Sequence, residues 1–304
     1  MIFGLGKGGR EMSNYRTIEK IFKGPDVHMV GDGFRVSQYL PAGTSGMKRL
    51  SPFILLDYHP PYYYEPSLTT RGVGAHPHRG FETVTIAYEG KIEHHDNKGN
   101  HGIIGPGDVQ WMSATSGILH KEYHETEFSK KGGTLHMIQL WVNLPKDKKR
   151  TTPKYQALLK EDMGKVELED NQGEISIIAG EYNGVKGPAS TFTKINMYNV
   201  NLKNNGKVLL KESSTSNTGI LILKGSIKLN EDRIGSEGDF IIFNNVEGNI
   251  LAEAINDEAL FIVLSGGPID EPVVSYGPFV MNTIEEIYEA YEDLENNKFG
   301  TQVF

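Results

Sequence analysis

The chain of 304 residues carries a formal net charge of −8 and contains no cysteine. This acidic balance argues against general binding to nucleic acid, which needs clustered lysine and arginine. Without thiolates, any metal must bind to imidazole and carboxylate ligands. No apolar run is long enough for a membrane-spanning helix, and the absence of cysteine fits a cytoplasmic protein. Residues 1–16 are expected to form a flexible leader, too glycine-rich for a secretory signal.

Glycine and proline are frequent, with 35 and 14 residues, and they separate many short apolar runs. This spacing is typical of short strands joined by tight turns, so it predicts an all-β sandwich or barrel. In the first half the predicted strands cover 18–22, 34–39, 53–56, 83–88, 91–95, 109–112, 118–123 and 135–142.

The stretch 145–170 is charged and polar and contains two prolines, which predicts an inter-domain connection with a short helix. A second series of strands follows, and its Gly–Asp turn at 235–239 resembles the turn at 105–108 in the first series. We therefore interpret the two halves as a duplicated β-fold. The predicted strands of the second half cover 175–178, 192–199, 208–210, 218–223, 226–229, 240–243, 250–253 and 260–265.

The C-terminal segment has a helical pattern. Apolar side chains recur at helical spacing from Ile284 to Leu294, and Asn282 or Thr283 precedes them as a capping residue. Acidic residues fill the first turn, where the helix dipole favours negative charge. The pattern predicts an amphipathic helix over 283–294.

The histidines are distributed unevenly. All ten lie between His28 and His136, and the rest of the chain has none. Structural histidines would rarely be so one-sided. We therefore expect the chemistry in the first domain and a scaffold role for the second.

His76 and His78 form a His-x-His pair, and alternate residues of a strand point to the same face. His120 and Glu122 repeat this spacing. If the two strands are neighbours, three nitrogens and one carboxylate oxygen converge, which suits Fe(II) and similar divalent metals with open positions. A His-x-His pair by itself is more often a surface or hydrogen-bonded pair. Followed by Glu82, a glycine-bounded turn and a distant histidine, it is the pattern of the cupin barrels.

Several longer segments resemble the pirin family, and the resemblance covers the chain from about residue 17. The segments are SPFILLDY (51–58), HPHRGFETVT (76–85), GPGDVQWM (105–112), GILHKE (117–122), IQLWVNLP (138–145) and EPVVSYGPFVMNT (271–283).

This resemblance implies two cupin (double-stranded β-helix) barrels that face one another, with metal in the first alone. It implies a metal-binding domain over 17–145, a linker over 146–170 and a metal-free domain over 171–282. Residues 283–304 would form a C-terminal helix and tail.

The resemblance also implies that His76, His78, His120 and Glu122 bind one metal ion per chain. Iron(II) leads by ligand type and family, and Mn, Ni, Cu, Co and Zn are alternatives. Glu82 is a ligand in many cupins. Here we expect it either to orient a ligand or to have a purely structural role.

Pirin-like proteins are associated with quercetin 2,3-dioxygenase activity. The implied partners are a small aromatic flavonol and O2. Glu122 would take the hydroxyl proton, oxygen would add across C2 and C3, and carbon monoxide would leave. The alternative is a non-enzymatic metal-binding regulator, acting on transcription or on a metabolic enzyme through a protein partner. A metal-free ligand-binding cupin is disfavoured by the complete ligand set. We expect a monomer without membrane or direct nucleic acid binding.

Other residues near the motifs have a structural and a functional interpretation. Three histidines are interpreted as surface or turn residues, with lining of the pocket as the alternative. Two more are weighed between support of the ligands and a structural role, and three large apolar side chains are predicted in the core. These three groups are His94, His95 and His101; His124 and His136; and Trp111, Met112 and Trp141.

Overall fold

A computed structural model describes residues 14–301, and strands dominate it. The prediction of an all-β fold with one C-terminal helix of several turns is confirmed. The strands of the first part are β1 (Ile18–Lys23), β2 (His28–Val30), β3 (Phe34–Leu40), β4 (Phe53–Tyr64), β5 (Gly72–His78), β6 (Phe81–Glu89), β7 (Ile92–Asp96), β8 (His101–Ile104), β9 (Val109–Ser113), β10 (Ile118–His124), β11 (Gly133–Asn143) and β12 (Lys154–Leu158).

The second part continues in the same style, with short strands between glycine- and asparagine-containing turns. Its strands are β13 (Gly164–Glu167), β14 (Gly173–Ala179), β15 (Glu181–Tyr182), β16 (Val185–Lys186), β17 (Ile195–Leu202), β18 (Lys207–Leu210), β19 (Asn217–Lys224), β20 (Ser226–Leu229), β21 (Arg233–Ser236), β22 (Asp239–Phe243), β23 (Ile250–Ala254), β24 (Ala259–Gly266), β25 (Val274–Tyr276) and β26 (Phe279–Met281).

Helices are few and mostly short. Three 3-10 turns occupy Lys146–Lys148, Lys160–Asp162 and Glu169–Asn171. The α-helices are α1 (Gly46–Arg49), α2 (Thr126–Lys131) and α3 (Ile284–Glu295). Within residues 14–301 no helix is long and apolar enough to cross a bilayer, and the cytoplasmic location stays a prediction.

Within residues 14–301, each barrel consists of one seven-stranded and one four-stranded antiparallel sheet. In the first barrel the order is β12-β9-β6-β11-β4-β3-β2 in the large sheet and β5-β10-β7-β8 in the small one. Apolar side chains from both sheets, including Phe34, Ile92 and Met137, pack together between them. The second barrel repeats the arrangement, with β1-β22-β19-β24-β17-β14-β13 over β18-β23-β20-β21.

The two barrels differ in how their interiors are filled. The second is closed by a continuous apolar cluster that includes Tyr198, Phe243 and Phe261, all fully buried. The cluster inside the first barrel is much smaller, and a cavity lies beside it. A scaffold role for the second barrel agrees with this packing.

The large sheets pack on each other and join the barrels. Trp111 and Leu140 of the first barrel share one buried cluster with Phe240 and Leu264 of the second. Burial of large apolar side chains on this scale is the main favourable term holding two such units together.

Strand pairing crosses the division expected from the sequence at two places. Strand β1, expected within the first domain, pairs antiparallel with β22 of the second barrel. The stretch 146–170, expected to be a linker, supplies β12 to the first barrel and β13 to the second. Its charged composition fits edge strands, where one side faces solvent. The domain boundaries themselves stay a prediction.

Helix α3 returns to the first barrel. Thr283 and Glu286 form the reciprocal capping box, so of the two capping residues considered the structure has Thr283. The apolar face of the helix packs with Phe279, Phe299 and, from strand β10, Leu119. The C-terminal segment therefore covers the outer side of the sheet that carries the candidate ligands.

Candidate metal centre

The adjacent strands β5 and β10 bring three of the predicted ligands together. His76 lies opposite His120 in the antiparallel register, and His78 follows two residues along β5. The centroids of the three imidazole rings are 4.3–4.9 Å apart. One nitrogen from each ring lies within 4.8 Å of the others, a spacing that one metal ion could bridge.

Hydrogen bonds at Nδ1 fix the ring orientation of His76 and His78. Nδ1 of His76 donates to the Gly74 carbonyl oxygen at 2.8 Å, and Nδ1 of His78 donates to the Pro278 carbonyl oxygen at 3.4 Å. We assign these tautomers from the acceptors, because a carbonyl oxygen can only accept. In each ring the proton on Nδ1 leaves a lone pair on Nε2 for a metal.

The turn between β5 and β6 brings the C-terminal segment close to these ligands. Gly80 has φ +89°, and a Cβ on it would lie 2.0 Å from the Val280 carbonyl oxygen. Glycine is therefore needed both for the backbone conformation and for the close approach. Because the C-terminal segment can approach here, Pro278 reaches His78.

His120 is oriented by a chain of buried groups. Nε2 of His94 donates to Oδ2 of Asp96 at 3.3 Å, so Nδ1 of His94 can accept from Nδ1 of His120 at 3.4 Å. This leaves Nε2 of His120, which is buried and has no hydrogen-bond partner among residues 14–301. An unpaired buried nitrogen is costly, and a metal ion would satisfy it. The site therefore fits a metal by its own chemistry.

The electrostatics favour neutral imidazoles. Burial, reinforced by the neighbouring His76, holds the pKa of His78 and of His120 well below its usual value. Both rings are then unprotonated at neutral pH, as metal coordination requires.

Glu122 lies on the same strand as His120 but outside the group formed by His76, His78 and His120. A register shift in β10 separates it from His120, and it faces His94 of β7. Its carboxylate oxygen groups with His94 and His120 rather than with His76 and His78. Oε1 of Glu122 accepts from Gln110 at 2.8 Å, and the Thr85 hydroxyl oxygen lies 3.1 Å from the same atom. The role of Glu122 as fourth ligand stays a prediction.

His94 was interpreted as a surface or turn residue, and that interpretation is wrong. The side chain is fully buried, stacks on Tyr155 and contacts His120. The useful signal was present in the sequence, since His94 and Asp96 have the same alternate spacing that identified the ligands. Asp96, which orients His120 through His94, was not predicted either, although the same alternate spacing indicates it.

Glu82 does not support the ligands. Strand β6 alternates, and Thr85 faces the cavity whereas Val84 faces the other barrel. Glu82 lies on the Val84 side, where Ser113 donates to its carboxylate at 2.6 Å. Of the two roles considered for Glu82, the structural one agrees with this orientation.

The remaining residues near the motifs are structural or exposed. His124 is buried among aromatic rings and bonds the Gly33 carbonyl oxygen, and His136 bonds Tyr58. The predictions of core positions for Trp111 and Met112 are confirmed, and Trp141 lines the cavity beside Phe81.

The ligands open onto a cavity of about 340 Å³ inside the first barrel. Its walls are mainly apolar, which is typical of a site for a small organic ligand. The apolar lining residues are Val30, Phe34, Val36, Leu55, Val73, Ile92, Met137 and Trp141.

The polar groups of the cavity wall form one row across neighbouring strands. Gln38, Asp57, Gln139, Thr85 and Gln110 are consecutive partners in the sheet register. Gln38 donates to Asp57 at 2.9 Å, and Thr85 donates to Gln139 at 2.7 Å. The row ends at the bonds to Glu122, so polar groups reach from the carboxylate across the large sheet.

Asp57 should make the stability of the protein depend on pH. Burial raises the pKa of its carboxyl from 3.8 to about 6, despite the hydrogen bond from Gln38. The contribution of this carboxyl to the free energy of unfolding is fully present below pH 3.8, where the group is protonated, and is lost as the pH rises through 6. An Asp57→Asn variant should therefore gain stability over the wild type, by up to about 3 kcal/mol at pH 8 and almost nothing at pH 4.

Urea unfolding of the metal-free proteins at several pH values measures this difference. Asp26→Asn removes the same charge from an exposed position and controls for net charge. A constant difference between Asp57→Asn and the wild type from pH 4 to pH 8 would contradict the assignment.

Comparisons with known proteins agree with the fold. Residues 33–142 match the model of the family described as Pirin, and residues 197–300 match the Pirin C-terminal cupin domain. A Pseudomonas aeruginosa protein named "Putative quercetin 2,3-dioxygenase PA2418" is 47% identical over 92% of this chain and 96% of its own length. Pirin-like protein 2 of Arabidopsis thaliana is 35% identical over 94% and 86%.

The solved structures include a close match in three dimensions. The crystal structure of quercetin 2,3-dioxygenase from Acinetobacter baumannii superposes with a TM-score of 0.89 at 40% identity. The superposition covers 94% of this chain and 99% of that protein. Together with the matched models at both ends of the chain, this agreement means that the protein belongs to the pirin family, with two cupin barrels.

Proposed function

We propose that this protein is a metal-dependent dioxygenase that opens the ring of a flavonol such as quercetin with O2 and releases carbon monoxide. The observation that carries the proposal is the grouping of His76, His78 and His120, with His76 and His78 in the wall of a mainly apolar cavity. Relatives that span almost the whole chain carry quercetin 2,3-dioxygenase in their names, which supports this substrate class.

The proposed centre holds one divalent metal, with iron(II) first and Mn, Ni, Cu, Co or Zn as alternatives. His76, His78 and His120 would bind through imidazole nitrogen, and Glu122 would add a carboxylate oxygen. When bound, the metal would supply Lewis-acid activation of a phenolic oxygen and of O2. A set of protein ligands made up of nitrogen and oxygen atoms agrees with the absence of cysteine from the chain.

Glu122 is the proposed base. Gln110 donates to its Oε1 at 2.8 Å, which orients the carboxylate and favours a proton on Oε2. The flavonol 3-hydroxyl would give its proton to this group. The strands fix the position and orientation of the Glu122 carboxylate before the substrate arrives.

The cavity would hold the aromatic rings and exclude water. Trp141 and Met137 offer flat and adaptable apolar surface, whereas Asp57 and Gln139 offer hydrogen bonds to hydroxyl or carbonyl groups of the substrate. Oxygen would add across C2 and C4 rather than C2 and C3, because C3 leaves with only its own oxygen as carbon monoxide. Both atoms of O2 would then stay in the ring-opened product.

The test measures O2 uptake and carbon monoxide release by the iron-loaded protein with quercetin. We expect equal amounts of both gases, and we expect Glu122→Gln to lower kcat by about 10²–10⁴ because proton removal is lost. Glu127→Gln, on the exposed face of α2, should match the wild type.

Iron bound at one per chain with no carbon monoxide would refute the dioxygenase. That outcome would favour the regulatory alternative, in which a protein partner responds to the metal. The monomeric state and any such partner stay predictions.

A further inference from the structure

A second cluster of metal-binding side chains lies on the outer face of the small sheet in the first barrel. Glu93 and His95 are alternate residues of β7 and point to the same face. His101 of β8 lies directly opposite His95 in the register. Neither the interior centre nor the proposed reaction uses these three residues.

Strand alternation separates this cluster from the interior centre. His94 is fully buried inside the barrel, whereas the next residue, His95, points outward and keeps 28% of its side chain exposed. The His101 side chain is 50% exposed and that of Glu93 is 13% exposed. A metal at the cluster would therefore have protein on one side and water on the other.

The distances suit one ion. Nε2 of His95 lies 3.1 Å from Oε1 of Glu93, and Nε2 of His101 lies 2.9 Å from the same oxygen. The three ligand atoms lie within 4.8 Å of one another. Ligand atoms around a tetrahedral zinc ion are roughly 3.4 Å apart, because each lies about 2.1 Å from the metal. Small side-chain movements would therefore be enough for binding.

Neighbouring rings hold the cluster in place. The rings of His95 and His101 have centroids 4.2 Å apart, and Tyr123 stacks on the other side of His95 at 5.8 Å. Burial by itself would raise the pKa of Glu93, but hydrogen bonds from His95, His101 and Tyr123 lower it below its usual value. The carboxylate is thus charged and positioned at neutral pH.

We propose that Glu93, His95 and His101 form a second, solvent-facing site for a divalent metal of the zinc class. Two imidazoles and one carboxylate with a fourth position open to water are an established ligand set for zinc. Each histidine would bind the metal through Nε2 as the neutral tautomer with its proton on Nδ1, so the proton that Nε2 otherwise donates to Glu93 is exchanged through solvent to Nδ1. This proposal is independent of the dioxygenase activity.

The experiment counts zinc on the metal-free full-length protein by calorimetric titration and by metal analysis after equilibrium dialysis. The wild type should bind two equivalents, one at each site. His101→Ala should bind only the interior equivalent, with the outer affinity at least about tenfold weaker, since loss of even an orienting partner costs that much. His120→Ala belongs to both interior ligand groups and should retain only the outer equivalent.

The double variant His101→Ala/His120→Ala should bind no zinc with comparable affinity. His28→Ala removes an exposed histidine outside both clusters and should keep both equivalents. Circular dichroism should show His101→Ala folded as the wild type, because the side chain is half-exposed. One equivalent in the wild type, or two in His101→Ala, would show that the cluster is only a hydrogen-bonded trio.

Discussion

Replacing His120 by alanine should remove the interior metal and abolish O2 uptake. His120 is the residue shared by both ligand groups inside the barrel, and its Nε2 is the buried nitrogen without a partner. Alanine leaves His76 and His78 as a pair, because the Glu122 carboxylate is not grouped with them, so iron content after dialysis should fall to background. We expect the affinity for iron to fall at least about 100-fold, more than loss of an orienting residue costs.

His94→Leu provides a graded comparison. It preserves the packing volume beside Tyr155 but removes the acceptor for Nδ1 of His120. The affinity for iron should fall about 10–100-fold, with the ligands intact. Metal analysis at buffered free iron measures both variants, and His28→Ala, which removes an exposed histidine outside both clusters, controls for loss of an imidazole. Full iron occupancy in His120→Ala would refute the proposed centre.

Replacing Arg79 by methionine should destabilise the protein by about 3 kcal/mol or more. Arg79 donates to Asp293 of α3 at 2.8 Å and to the Ser116 carbonyl oxygen at 2.7 Å, and its guanidinium lies over the Phe299 ring. Only 6% and 10% of the two side chains of the ion pair are exposed. Removal of the cation leaves a buried carboxylate with Lys298 as its remaining charged partner, and such losses are strongly destabilising.

The same change should weaken the metal centre. Arg79 follows His78 directly, and the backbone of Arg79 bonds the segment that also carries Pro278. If α3 is released, Nδ1 of His78 loses its acceptor and the ring loses its orientation. Iron affinity should therefore decrease together with the free energy of unfolding.

Arg150→Met is a matched control for this prediction. Arg150 also pairs with α3, through Glu289, but both side chains are nearly half-exposed. An exposed ion pair contributes only about 0–1 kcal/mol, so this variant should stay near wild type in stability and iron affinity. Chemical unfolding measures both variants. Equal losses for Arg79→Met and Arg150→Met would contradict a specific role for the buried pair.

The sequence predicted local structure well where local rules decide it. The capping residue Thr283 and the apolar spacing from Ile284 to Leu294 lie within one short segment of the chain, and helix α3 forms there. The His-x-His pair is equally local, because strand alternation alone places His76 and His78 on one face. The resemblance to pirins added the two-barrel architecture, which the comparisons confirm.

The sequence failed where a partner is distant along the chain. Strand β1 has an edge-like pattern that fits either barrel, and its pairing with β22 is decided by which sheet edge it reaches. The position of α3 over β10 depends on Asp293 meeting Arg79, more than 200 residues away. No periodicity in either segment reports that contact.

By itself, the sequence determined that this protein has short strands, one capped helix and a set of histidines confined to its first half. The tertiary structure alone decided that His94 is inside and His95 outside, that Glu122 faces His94, and that the second barrel is filled while the first keeps a cavity. The physical reason is that alternation defines two faces of each strand, but only the packing of the sheets decides which face is buried.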